Sequence, residues 1–344
     1  MPASWLPSSV SCILSPMKRA AWILAALFGA AFLGAILMNA RLVDQSRRAF
    51  AGGVFRETSR IPKARYHLVL VIPDDDDSFF SGLAEGVRSG ARETDSAVQV
   101  FRYAASSPAD SERFFEIALG AGVDGLIMYS PRGEPVLRRA EAALRRGVVF
   151  VPVGTDVPEG EPPGFIGSAS LLQGFEGGRR ICAALGASAR IGVILPAGGA
   201  GPEEEEPLFR GVSASIQAFP GARVSALTRA RPGTLAGEEA ASAMLGADPS
   251  INAIFCANSR DTMGVAQVIV DLNRVGSILV VGADETPEIL RYIEKGVVTA
   301  SIVRDSKWIG REAVLAFARI KDGGAPAGPV EAGFYVRTAE GRSP

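Results

Sequence analysis

The sequence predicts an α/β fold built on parallel sheets, and three observations lead there. From Tyr66 onward, short apolar runs of strand length alternate with longer stretches of helical periodicity. One run, Ser277-Ile278-Leu279-Val280-Val281-Gly282-Ala283, is almost wholly apolar, as a strand covered on both faces by helices must be. It passes through Asp284 into Glu285-Thr286-Pro287-Glu288, where Thr286 is placed to N-cap a helix whose first residue is Pro287. A chain of 344 residues with 47% hydrophobic content can supply the sizeable cores that such layers need.

Taken in order, the apolar runs place strands at 67–72, 98–103, 125–129, 148–153, 164–166, 190–195, 223–228, 253–257, 278–282 and 300–303. Helical periodicity falls between them at 79–94, 109–121, 136–146, 171–185, 209–218, 237–245, 261–272, 287–295 and 307–321. Strand and helix alternating throughout implies parallel pairing with right-handed crossovers. The Gly164–Ser170 segment, GFIGSAS, breaks the rhythm, and there one sheet can stop and a second begin.

Ahead of this part lies a segment of a different kind. Residues 1–19 form an N-terminal extension that ends in the basic flank Met17-Lys18-Arg19, with Met17 as an alternative start. The uncharged run Ala20–Met38, as a helix, covers about 28 Å, the thickness of a bilayer core. Residues 20–40 are therefore expected to be a transmembrane signal anchor, with a cleaved signal peptide as the alternative. Residues 41–65 are polar, contain Gly52-Gly53 and read as a tether. The globular part is accordingly expected in the periplasm or on the outer face of the cytoplasmic membrane.

Composition excludes several functions. A formal charge of −1 offers no broad attraction for nucleic acid. Three cysteines, Cys12, Cys182 and Cys256, form no C-x-x-C pair, and a single histidine, His67, rules out zinc sites that need two. No nucleophile elbow, lysine phosphate loop or dinucleotide glycine motif appears, so neither an enzyme nor a cofactor is expected. Gly198-Gly199-Ala200-Gly201 is followed by Glu203–Glu206, whose carboxylates would repel phosphate. The consecutive aspartates Asp74–Asp77 lack the alternate spacing and central glycine of a calcium loop.

Two places remain as candidate sites. Asp284 sits at the carboxyl end of a strand, the edge at which open α/β sheets bind small ligands; a capping or hinge carboxylate is the plainer reading. The run ending at Asp77 leaves the first strand directly, and Phe79 and Phe80 open the next helix. Carboxylates accept paired hydroxyls, and aromatic faces pack against the apolar side of a sugar ring. The plainer reading there is an N-cap aspartate followed by two core phenylalanines.

Three stretches, VIPDDDDSFFSGLAEGVRSGA, AIFCANSRDTMGVAQVI and VVGADETPEILRYIEKGVVTASIVRDSKWIGREAV, resemble the type I periplasmic sugar-binding proteins, the ribose-binding group in particular. The resemblance runs from Tyr66 to about Thr338. It implies two Rossmann-like lobes joined by three crossovers, with residues 66–168 and 305–333 in the N-terminal lobe and 169–304 and 334–344 in the C-terminal lobe. It further implies that Asp77, Phe79 and Phe80 match the polar group and rings of the family's first loop, Asn258 its ligand-binding asparagine, and Asp284 the aspartate of Gly-Phe-Asp. Other positions depart. The family's Asp-Arg pair falls on Gly154-Thr155, with Asp156 adjacent; its arginine on the next lobe's first helix falls on Leu208; its hinge glutamine becomes Arg304.

Arg304 carries a planar fork of donors suited to a carboxylate or a vicinal diol, which brings in acidic sugars; its plainer reading is a hinge arginine paired with Asp305 or Glu285. Trp308, one turn further, is expected in the core. The function so implied is solute binding: a monomer traps a sugar or sugar acid between its lobes and delivers it to an ABC-transporter permease. The alternative is a tethered sensor that docks on a receptor kinase or chemoreceptor.

Overall fold

In the computed structural model, residues 64–343 are described except for segments 105–106, 132–134, 157–163, 197–201 and positions 232 and 234; residues 29, 38 and 41 are described singly. The apolar segment 20–38 therefore lies, but for residues 29 and 38, outside the described residues. Among the described residues no helix is long and apolar enough to cross a membrane.

The strands sort into two sheets. The first has the order β11-β5-β4-β3-β1-β2, with β1 at Tyr66–Asp74, β2 at Ser96–Ala104, β3 at Gly125–Tyr129, β4 at Val149–Val153, β5 at Ile166–Ser168 and β11 at Val330–Ala332. All of its pairings are parallel. The second has the order β13-β12-β10-β9-β8-β6-β7. Its strands are β6 (Arg190–Leu195), β7 (Arg223–Arg229), β8 (Ala253–Cys256), β9 (Leu279–Ala283), β10 (Ala300–Arg304), β12 (Phe334–Thr338) and β13 (Gly341–Ser343). Each sheet with its helices forms a lobe. The chain leaves the first sheet at β5, inside the predicted break.

Three strands, β11 to β13, are missing from the sequence expectation, and two of them correct it. β12 pairs antiparallel with both β10 and β13, so the second sheet is not parallel throughout. These strands are short and mix polar with apolar residues, and β11 and β13 lie at sheet edges, so no continuous apolar run marks them.

Central strands are buried on both faces. On β1, Leu68, Leu70 and Ile72 enter one core with Phe79, Ile127, Ile309 and Phe317, whereas Val69 and Val71 enter the other with Phe115 and Met128. The same alternation splits β8, with Phe255 on one side and Ile254 and Cys256 on the other. Trp308 is partly buried and packs on the first-lobe core, as expected.

Two helix pairs cover these cores. In the first lobe α1 (Ser78–Glu93) meets α9 (Ser306–Lys321); in the second α4 (Ser170–Leu185) meets α5 (Pro207–Ile216). Both meet backbone to backbone. A Cβ on Gly86 would lie 2.0 Å from the Lys307 carbonyl oxygen, and one on Gly310 2.2 Å from that of Leu83. In the second lobe a Cβ on Gly174 would lie 1.9 Å from the Leu208 oxygen, and one on Gly211 2.0 Å from that of Leu171. The remaining helices are α2 (Pro108–Gly120), α3 (Val136–Arg145), α6 (Ala236–Ala247), α7 (Ser259–Asp271) and α8 (Pro287–Glu294).

Candidate functional site

Four strands, β1, β8, β9 and β10, end at the same place, and each hands over to a helix through a side chain that caps it. Asp77 caps α1 by accepting from Phe79 N at 3.3 Å, and Asn258 caps α7 by accepting from Asp261 N at 2.7 Å. Thr286 caps α8 with Pro287 behind it, as its sequence predicts, and Asp305 caps α9 through Trp308 N. Capping thus brings polar side chains to the ends of buried strands.

Asp284 follows β9 in a left-handed conformation, with φ of 63°. For a residue with a Cβ this costs about 1–2 kcal/mol, and aspartate is among the few that adopt it readily. The turn is held by Asp284 N donating to the Ile302 carbonyl at 2.8 Å and by Ser301 Oγ donating to the Asp284 carbonyl at 2.6 Å. Its carboxylate is thereby aimed at the end of β10.

Arg304, the last residue of β10, joins the two lobes. Its Nε and backbone N donate to Asp284 Oδ1 at 3.0 and 3.2 Å, and its Nη2 donates to Asp284 Oδ2. The same Nη2 reaches Asp77 Oδ1 and Oδ2 at 2.8 and 2.9 Å. Serines complete the contact: Ser259 Oγ donates to Asp77 Oδ1 at 3.0 Å, Ser78 N to Ser259 Oγ at 2.8 Å, and Ser78 Oγ to Asp284 Oδ2 at 3.1 Å. All three charged groups are buried. The Arg304 guanidinium lies over the Phe79 ring at 4.8 Å, and the rings of Phe79, Phe80 and Tyr129 meet edge to face behind it.

A second arginine bridges alongside. Arg260 Nη1 donates to Asp75 Oδ2 at 2.8 Å across the lobes, and its Nε to Asp261 Oδ1 at 3.3 Å within its own lobe. Asp261 also accepts from Asn258 Nδ2 at 2.6 Å.

Electrostatics follow from this pairing. Burial pushes the Asp77 carboxyl up, but the charge and hydrogen bonds of Arg304 outweigh it and leave it below its ordinary range. For Asp284 burial wins, with repulsion from Asp77 adding to it, and its carboxyl is raised despite Arg304. Asp261 is likewise raised by burial, which Arg260 offsets only in part. Arg304 is held charged because Asp284 and Asp77 outweigh the cost of its burial. Burial pushes the Tyr129 hydroxyl up to about 12. Among the described residues no group of three or more His, Cys, Asp or Glu is arranged to hold a metal.

Of the residues singled out in the sequence, Asp77, Phe79, Asn258, Asp284 and Arg304 come together here. Phe80 stands behind Phe79, and both rings lie in the first-lobe core, as their plainer reading expects. Asp156 is half-buried on the exit from β4; beside it the Thr155 carbonyl accepts from Ser168 Oγ and Ser170 Oγ, both at 2.5 Å. The expected pairing of Arg304 with Asp305 or Glu285 is corrected. Glu285 instead accepts from Tyr335 and Arg342, both at 2.5 Å, and Asp305 serves as a cap.

Asp75 belongs to the aspartate run Asp74–Asp77 that the sequence singles out, whereas sequence reasoning missed Ser78, Ser259, Arg260 and Asp261. For Arg260 there was a signal: a cation in the first turn of a helix opposes the helix dipole and needs a carboxylate partner.

Comparison with known proteins bears on this arrangement. The sequence model of the periplasmic binding protein domain matches residues 68–325. The D-allose-binding periplasmic protein of Escherichia coli is 39% identical over 72 residues, which is 21% of this chain and 23% of that protein. The match thus spans about a quarter of that relative. Among solved structures, the glucose-galactose binding protein GanP of Geobacillus stearothermophilus is similar with a TM-score of 0.72 and 23% identity, covering 80% of this chain and 98% of that one. An ABC transporter periplasmic solute binding protein of Actinobacillus succinogenes with bound D-allose gives a TM-score of 0.71 and 17% identity, with coverage of 80% and 98%. With its strand order, its two sheets and a domain match over most of its length, the chain belongs to the periplasmic binding protein family.

Proposed function

We propose that this chain is an extracytoplasmic solute-binding protein that takes a small sugar between its lobes and delivers it to an ABC-transporter permease, without chemistry of its own. The observation that carries this is the meeting of Asp77, from the first lobe, with Asp284 and Arg304, from the second, at the carboxyl ends of buried strands. Family membership and the sugars named for similar proteins support the ligand class. In this reading Asp77, Asn258, Asp284 and Arg304 meet hydroxyls, Phe79 and Phe80 supply the apolar wall, and Asp156 adds a carboxylate from β4. Residues 66–168 with 305–333 move as one lobe against 169–304 with 334–344, and differential contact in the closed state drives the hinge. Residues 20–40 hold the monomer at the membrane.

Because Arg304 already faces two carboxylates, a neutral sugar is favoured over the sugar acid that an arginine alone would suggest. A thermal-shift screen of the full-length chain against D-allose, D-glucose, D-galactose, their uronic acids and amino acids tests this. A saturable rise in melting temperature with a neutral sugar is expected; a rise with amino acids alone would reject the reading.

A further inference from the structure

Burying a hydrogen-bonding group without a partner costs free energy, so such a group in a packed lobe calls for an explanation. Gln173, in the first turn of α4, is one. The residue is only 3% exposed, and its Nε2 amide pairs with no group of the chain. It is also held in place. Gly174, the next residue, presses against the Leu208 carbonyl, and Gly177, one turn on, faces the Phe255 ring, where an added Cβ would lie 2.2 Å away. With α4 fixed from two sides, a shift of the helix cannot carry the Gln173 amide out to water.

The register of the sheet places this amide at the candidate site. α4 covers the face that carries Phe255, Val281 and Ile302, and alternation along β10 puts Arg304 on that same face, two residues beyond Ile302. The helix leads through a short connection into β6 and runs against it, so its N-terminus lies over the carboxyl ends of β8, β9 and β10, the edge that bears Asn258, Asp284 and Arg304. Gly177 meets Phe255, the next to last residue of β8. Long side chains on a helix lean toward its N-terminus, so Gln173, one turn earlier, points past the end of that strand.

Acceptors are plentiful there, whereas donors are committed. Arg304 Nε and Nη2, Ser259 Oγ, Ser78 Oγ and Asn258 Nδ2 all donate to aspartates of the chain. Sugar hydroxyls can donate to carboxylates, but the ring oxygen of a pyranose only accepts, and it needs a donor. We propose that Gln173 is a specificity-determining residue of the sugar site: its Nε2 amide donates to an acceptor-only oxygen of the solute, the ring oxygen of a neutral pyranose. This role rests on the reading that sugar binds between the lobes, and it names the atom of the sugar that is read. A buried donor whose partner is the solute lowers the stability of the free chain and raises affinity, so removing it moves the two in opposite directions.

The test is calorimetric titration of the full-length chain with D-allose, D-glucose and D-galactose and with the carbasugar counterpart of each, in which a methylene group replaces the ring oxygen. Thermal unfolding without solute accompanies it. Gln173→Leu and Gln173→Met each remove the donor and keep a side chain of similar size, so a folding defect in one does not decide the matter. The unmodified chain is expected to bind a sugar about tenfold more tightly than its carbasugar. Both variants should weaken the sugar about tenfold and leave the carbasugar unchanged, which brings the ratio to about one. Their melting temperature without solute should rise by about 2–4 °C, because an unpartnered buried donor is gone. A ratio near one in the unmodified chain, or a ratio that survives both substitutions, would overturn the proposal. A lowered melting temperature with unchanged affinity would do so too, as the mark of a group that only packs. If the unmodified chain binds none of the sugars, the sugar reading fails and the Gln173 role with it; if all three proteins bind a sugar equally, the Gln173 role alone fails.

Discussion

In the first lobe α1 and α9 touch through Gly86 and Gly310; in the second α4 and α5 touch through Gly174 and Gly211, each pair placing one helix backbone against another. At the strand ends that face each other the lobes differ. The first brings Asp75 and Asp77, whereas the second brings Arg260 and Arg304, each with an aspartate of its own lobe at hand. The packing device is the same in both lobes, with glycines letting two helices meet backbone to backbone. Asp75 and Asp77 meet these guanidinium groups only when the lobes meet, so the two crossing bridges belong to the joint action of the lobes.

The largest effect should come from breaking the charge complement. Arg304→Ala leaves Asp77 and Asp284 buried side by side without their cation, and urea unfolding at neutral pH should show a loss of about 3–5 kcal/mol. A loss below 1 kcal/mol would mean that the pair relaxes into water. The repeated packing device predicts a smaller, matched effect: Gly310→Ala and Gly211→Ala should each cost about 1–3 kcal/mol, because a methyl group must push a carbonyl aside in either lobe. If only one is destabilising, the two helix pairs are not equivalent.

The smallest effect separates the carboxylates by sign. The Asp77 carboxyl lies below its ordinary 3.8, so it contributes stability above that pH and loses it as acid protonates it below. Asp261 lies above 3.8, so just above that pH the folded state binds the extra proton, and stability falls as pH rises through this window. Asp77→Asn should therefore flatten the acid-side loss of melting temperature below 3.8, and Asp261→Asn the fall above it. The same change in both variants would mean that the two carboxylates share one environment.

Much of this was legible in the sequence where the cause is local. Thr286-Pro287 starts α8, the apolar run before Asp284 forms β9, and the chain leaves the first sheet within Gly164–Ser170, returning to it at β11. What escaped depends on distant partners. Arg304 pairs with Asp77, 227 residues away, and Arg260 with Asp75, 185 residues away, so nearby acids such as Asp305 and Glu285 were the wrong candidates. β12 and β13 escaped because strands of mixed polarity carry no apolar run, and only the pairing of β12 with β10 and of β13 with β12 identifies them.

The claim that sugar is held between the lobes is tested most directly by calorimetric titration of D-allose, D-glucose and D-galactose into the full-length chain and its Asp284→Asn variant. Asparagine tolerates the left-handed turn at this position, so the variant removes the charge and not the backbone. The account predicts one saturable site for a neutral sugar, with affinity reduced about tenfold or more in the variant, as for the loss of a hydrogen bond to a charged group. Equal affinity in both proteins would place the sugar elsewhere and contradict it.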